Sequence, residues 1–203
     1  MTTFPANLGL ALTLLAGAAL GAQDLSPRMG FGAFLAQPTD SAGKQYGSGW
    51  KVNLTLHVRR EATVEGRVRF EFGEFREGKD VADWWGYQAS RYRARTRLVG
   101  YDWLIPLGSK QPTGFDIILG IGGVHWYRDR TVYSLPGPVY NPGYSYASTE
   151  DNLAFAGTVG LRYRFSRNFE VELHQVITST PNNHQDFSDA ELSHTALGLS
   201  VRF

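Results

Sequence analysis

Hydropathy along most of residues 29–203 repeats every second residue, and no segment sustains a period of 3.6. Such a chain folds as strands with two unlike faces. Trp50, Val52, Leu54, Leu56 and Val58 alternate with Lys51, Asn53, Thr55, His57 and Arg59. Val64, Gly66, Val68, Phe70 and Phe72 alternate with Glu65, Arg67, Arg69 and Glu71. The rhythm recurs at 115–122, 153–165 and 169–174, and more weakly at 29–35. It ends on Thr195, Leu197, Leu199, Val201 and Phe203, set against Ala196, Gly198, Ser200 and Arg202. With the segment from Arg91 to Leu98, about eight strands are expected.

Connections between these runs alternate in length. Those near Arg60–Ala62, Pro106–Thr113 and Ser166–Asn168 are short or moderate. Those near Gln37–Gly47, Glu74–Ser90, Asp129–Asp151 and Ser179–Ser193 are long. Sorting by parity places short turns on one rim and long loops on the other, with both termini on the short-turn side.

Residues Leu8 to Leu20 form an uncharged apolar run followed by Gly21 and Ala22, the layout of a secretory signal peptide. Cleavage after Gly21 or Ala22 is expected, although Met1–Gly9 carries no Lys or Arg. Residues 1–21 are therefore expected to be removed, leaving 22–203 as one domain. The absence of cysteine excludes disulfides and thiolate metal sites. A formal net charge of +1 argues against a nucleic-acid partner. The mean hydropathy is −0.26 and no stretch after residue 22 reads as a helical membrane span, as expected where only alternate residues meet lipid.

In its terminal aromatic strand, export signal and strand-loop rhythm, the chain resembles the small bacterial outer-membrane β-barrels, the OmpA-like, OmpX-like and OmpW-like superfamily. The resemblance implies an all-β fold: a single eight-stranded antiparallel up-and-down transmembrane barrel in the Gram-negative outer membrane. It also implies that Thr195, Leu197, Leu199, Val201 and Phe203 form the face recognised by the barrel-assembly machinery. Outer-membrane lipid and lipopolysaccharide are the other expected partners, and the barrel is expected to be a monomer.

If the apolar faces meet lipid, charged faces fill the lumen, where ions need partners. The expected lumen network comprises Lys51, His57, Glu65, Arg67, Arg69, Glu71, Arg93, Arg95, Arg97, Arg162, Arg164, Glu170 and Glu172. Turns centred on Arg167–Asn168 and on Glu61 would set Arg164 opposite Glu170, Arg162 opposite Glu172, His57 opposite Glu65 and Lys51 opposite Glu71. The column Arg91, Arg93, Arg95, Arg97 is the basic half of that network or, on another reading, an anion site, with Gly120 and Gly122 making room for it. After Gly100 the apolar face changes parity, since Tyr101, Trp103 and Ile105 look outward. A bulge at Gly100, or the end of the strand there, would produce this.

In the long loops, Trp84, Trp85, Tyr87, Tyr140 and Tyr144 are candidates for contact with a partner, or else members of an aromatic girdle. The Ser/His/acid candidates are His174 with Ser179, and His184, Asp186, Ser188 and Asp189. Ser193 and His194 are adjacent and so point oppositely. No nucleophile-elbow motif occurs, and no catalytic residue, metal or cofactor is expected. The reading that follows is a non-enzymatic barrel with a filled lumen and a structural or surface-interaction role. Three others share part of the pattern: a narrow channel, a lipid-modifying enzyme, and a soluble lipocalin-like barrel with apolar faces turned inward.

Overall fold

The computed structural model describes residues 28–39, 45–58, 64–82, 88–108, 113–134, 145–179 and 192–203. The expected signal peptide, the loop aromatics Trp84, Trp85, Tyr87, Tyr140 and Tyr144, and His184, Asp186, Ser188 and Asp189 lie outside them.

Eight strands form one antiparallel sheet: β1 (Arg28–Pro38), β2 (Tyr46–Val58), β3 (Glu65–Glu77), β4 (Gln88–Leu107), β5 (Gly114–Ser134), β6 (Ser145–Arg164), β7 (Phe169–Ser179) and β8 (His194–Arg202). Each pairs with the next in sequence, and β1 pairs with β8, closing an up-and-down barrel that leaves no edge along its wall. The two-residue segment Val81–Ala82 adds a short pairing to the start of β4. The seam is reinforced beyond the ladder: the Phe203 N–H donates to the Met29 carbonyl at 3.0 Å, and the Arg202 N–H to that of Asn168 at 2.8 Å.

The turns follow from local chemistry. Between β6 and β7 the Ser166 hydroxyl accepts from the N–H groups of Asn168 and Phe169, at 3.2 and 3.1 Å. After β4 the chain turns through Gly108 at φ +114°, a conformation that favours glycine.

Outward residues of the lower strands are apolar and exposed, among them Leu35, Phe72, Ile121, Phe155, Leu161 and Leu199. Their inward neighbours are buried and ionic, including Lys51, Arg67, Arg69, Glu71, Arg162 and Glu172. This inside-out arrangement overturns the soluble lipocalin-like reading, which needs the apolar faces inside. It is the distribution that a lipid surround requires.

Strands β4, β5 and β6 run 20, 21 and 20 residues, whereas the others run 9 to 13. Parts of the expected loops Glu74–Ser90 and Asp129–Asp151 are therefore strand, and the three long strands rise above their neighbours as a blade. β4 passes through Gly100 in unbroken register with β5, from Gln88↔Ser134 to Leu107↔Phe115. Neither the expected bulge nor a strand end exists at Gly100. Odd residues of β4 point outward from Arg91 to Leu107.

Candidate functional site

The lower half of the lumen is filled by ions in equal number. Lys51, Arg67, Arg69, Arg162, Arg164 and Arg202 meet Glu65, Glu71, Asp102, Asp116, Glu170 and Glu172. Arg67 lies at the centre. Its guanidinium grips Asp102 through Nε and Nη2, at 3.0 and 2.8 Å, and Glu172 through Nη1 and Nη2, at 2.6 and 2.9 Å. Such two-pronged contacts suit the planar fork of arginine. Arg69 joins Glu71 at 3.0 Å and Asp102 at 3.2 Å, and donates to the Thr158 hydroxyl at 2.7 Å. Lys51 reaches Glu71 at 2.6 Å and the His194 ring at 2.7 Å. Below, Arg162 holds Asp116 at 2.7 Å and Glu170 at 3.3 Å, while Arg202 bridges Glu65 and Glu170 at 3.0 Å each.

Glycine makes room for these groups. A Cβ on Gly120 would lie 2.2 Å from Asp102 Oδ1, and one on Gly160 would lie 2.6 Å from the His174 Cβ. Gly120 thus seats the carboxylate that holds Arg67, and not the arginine column expected there.

Above the ions the lumen turns mostly apolar, with the buried Arg128 guanidinium 5.4 Å over the Tyr92 ring and 5.8 Å over that of Trp126. Phe34, Phe75, Leu98, Val124, Trp126 and Val176 are buried in one cluster that includes Tyr46, Tyr92 and several alanines. The Phe75 ring stands 5.1 Å from that of His194, where the ionic and apolar layers meet. Two fillings of opposite polarity thus occupy one barrel.

Of the expected lumen residues, Lys51, His57, Glu65, Arg67, Arg69, Glu71, Arg162, Arg164, Glu170 and Glu172 lie in this network. Arg93, Arg95 and Arg97 do not. They point outward, Arg93 and Arg95 with about half their side chains exposed. The physical reason is a change of solvent along one strand. Beside Tyr101, Trp103 and Ile105 the outside is apolar; at Arg97 and above it is water. Charges then favour the outer face, and Tyr92, Ala94 and Leu98 the inner one. The polarity of the two faces switches although the direction of the side chains does not.

Outward, the column is paired row by row. Arg91 joins Asp80 at 2.8 Å, Arg93 joins Glu74, Arg95 joins Asp129 at 3.0 Å, and Arg97 lies 5.3 Å over the Tyr127 ring. The hydrogen bonds from Arg91 hold the Asp80 carboxyl below the usual carboxylate range. These partners leave little free charge for a separate anion site.

Register also differs from expectation in one hairpin. Arg162↔Glu172 and Arg164↔Glu170 are opposite one another, but Arg162 bonds Glu170 and Arg164 bonds Asp116. In the β2–β3 hairpin, His57 faces Arg67 and Lys51 faces Gly73, two residues from the expected register. The contacts His57–Glu65 at 2.8 Å and Lys51–Glu71 at 2.6 Å form diagonally instead. Sequence reasoning turned Asp102 inward but left it out of the network, together with Asp116, His174, His194 and Arg202. The signal for Asp116 and Arg202 was parity alone, since both lie on the inner face of an alternating strand.

His174 is buried in the lumen, whereas Ser179 lies on the outer face of β7, so the two do not meet. Ser193 accepts from the Thr178 N–H at 3.2 Å, while His194 turns to Lys51 and to the Leu192 carbonyl. Of the terminal face, Leu197, Leu199, Val201 and Phe203 are exposed along β8.

A closed eight-stranded barrel, apolar outside and ion-filled within, has the fold of the small outer-membrane β-barrels. No protein-family model matches the chain, and none of the curated proteins matches it. Among solved structures, the chain is similar to Ail, the attachment invasion locus protein of Yersinia pestis, crystallised with the heparin analogue sucrose octasulfate. Identity is 10%, with 89% of this chain and 100% of that one covered, at a TM-score of 0.52. It is also similar to a major outer membrane protein from Thermus thermophilus, at 13% identity, with 88% and 100% covered and a TM-score of 0.51.

Proposed function

We propose that the protein is a non-enzymatic, non-conducting barrel of the outer membrane, whose role is structural or lies in contact at the cell surface. One observation carries this reading: the lumen is filled twice, by a charge-balanced ion network below and an aromatic and aliphatic cluster above. A solute would have to displace buried ion pairs and then a packed apolar layer. The tall β4–β6 blade, with its ion-paired outer face, is the part that extends beyond the apolar band. It provides the rigid surface for contact with lipopolysaccharide or another outside partner. The exposed terminal strand, Thr195 to Phe203, serves as the element recognised during assembly.

Two measurements test the reading. Purified protein is expected to shift in gel mobility on heating, and to give no steady conductance in planar bilayers. Recovery in solution without detergent would overturn the membrane assignment. A steady conductance in the wild-type protein would establish a narrow channel instead, and altered lipids in a membrane exposed to the protein would establish an enzyme.

A further inference from the structure

We infer that the outer wall at the β3-β2-β1-β8 seam holds one anionic lipid of the surrounding leaflet, with its headgroup phosphate on Arg76. The inference rests on the membrane reading above. A shallow groove of about 480 Å³ opens sideways there, and its floor is Leu35, Leu197 and Trp50. These three lie in adjoining rows, Leu35 paired with both Trp50 and Leu197. All three are exposed to whatever surrounds the barrel.

The recess is built by the backbone. Between Tyr46 and Gly49 the register of β2 against β3 shifts by one residue, because three steps on β2 face two on β3. A bulge of this kind bends its strand and re-aims a side chain. Glycine is required, since a Cβ on Gly49 would lie 2.1 Å from the Glu74 carbonyl oxygen. Ser48, within the bulge, is exposed on the groove, and Arg76 also lines it.

Chemistry selects the occupant. Below the rim the groove is apolar, which suits an acyl chain; at the rim it is polar, with Gln37, Ser48 and Thr195 beside Arg76. Arg76 has no carboxylate partner among the described residues. Glu74, two residues earlier on the same face, is committed to Arg93, and Glu77 to Arg91. An unpaired guanidinium at the top of an apolar groove matches a phosphate above a hydrocarbon chain in charge and in order. A free phosphate would use only the upper half of the site.

The test is native mass spectrometry of the full chain in detergent, with phosphatidylglycerol and, separately, uncharged diacylglycerol. One phosphatidylglycerol retained per barrel is expected, in preference to diacylglycerol. Arg76→Gln should lower that retention about fivefold, the scale of one charge-assisted hydrogen bond. Arg76→Lys should restore part of it, and Arg167→Gln, in the β6–β7 turn, should leave it unchanged. Glycerol phosphate in excess should not displace the lipid. Equal retention of charged and uncharged lipids, an unaltered Arg76→Gln variant, or displacement by glycerol phosphate would each overturn the site. A barrel that inserts into vesicles without selecting lipid loses only this inference; one that stays soluble without detergent loses both readings.

Discussion

Arg67 and Asp102 face each other on one rung of the β3–β4 ladder and form a two-pronged, fully buried ion pair. Their separation of thirty-five residues is bridged by the β3–β4 connection. The same carboxylate serves Arg69, and Arg67 also serves Glu172, so the pair ties three strands together.

Removing Asp102 leaves two buried guanidinium groups short of charge. Asp102→Ala is expected to destabilise the barrel by about 3–5 kcal/mol, the scale for breaking a buried pair by deleting one partner. Urea unfolding and refolding in lipid vesicles measures it. A loss under about 1 kcal/mol, the scale of an exposed pair, would show that the network relaxes around the gap.

The outward arginines should behave differently. Arg95→Ala is expected to change stability by less than about 1 kcal/mol, as for an exposed ion pair. Arg95→Cys should react with a membrane-impermeant maleimide in the folded barrel, while Leu98→Cys on the inner face should not. Reversed labelling would return the column to the lumen.

Gly120 admits the Asp102 carboxylate against the wall of β5. Gly120→Val places a side chain where that carboxylate sits, and about 1–3 kcal/mol of overpacking is expected. Heat-induced mobility shifts would occur at lower temperature. An unchanged transition would mean that Asp102 has another place to lie.

Within the apolar band, Val159 points outward with nearly half its surface exposed. Val159→Arg is expected to cost about 2–4 kcal/mol in a bilayer if it lies near the midplane. The same variant in a short-chain detergent should lose less. Equal losses in both would remove lipid as the neighbour of this face.

Outside the band, Asp80 binds Arg91, and its carboxyl titrates lower folded than unfolded. Its contribution is therefore present above the ordinary carboxylate range and lost as pH falls below it. Amide exchange at Ser90, which pairs with Val81, should stay slow through mildly acid pH and rise only in stronger acid. Asp80→Asn should raise it at pH above the carboxylate range and change it little in strong acid, where the wild-type carboxyl is already neutral.

Strand number, the closing seam and the lipid face of seven strands are legible in the alternation, because side-chain direction in a strand has a period of two. The ten network residues from Lys51 to Glu172 follow from that parity, since they oppose apolar neighbours at membrane depth. What the chain alone does not reveal is which solvent lies outside a given residue. At Gly100 the polarity of the two faces changes, and a bulge, a strand end or a crossing from lipid to water leaves the same trace in the sequence. Only the unbroken β4–β5 register distinguishes them, and it turns Arg93, Arg95 and Arg97 outward. Partner choice within the lumen likewise waits on the closed barrel. Arg67 finds Glu172 across the lumen at a sequence distance of 105 residues, a contact set by closure and diameter and by no local pattern.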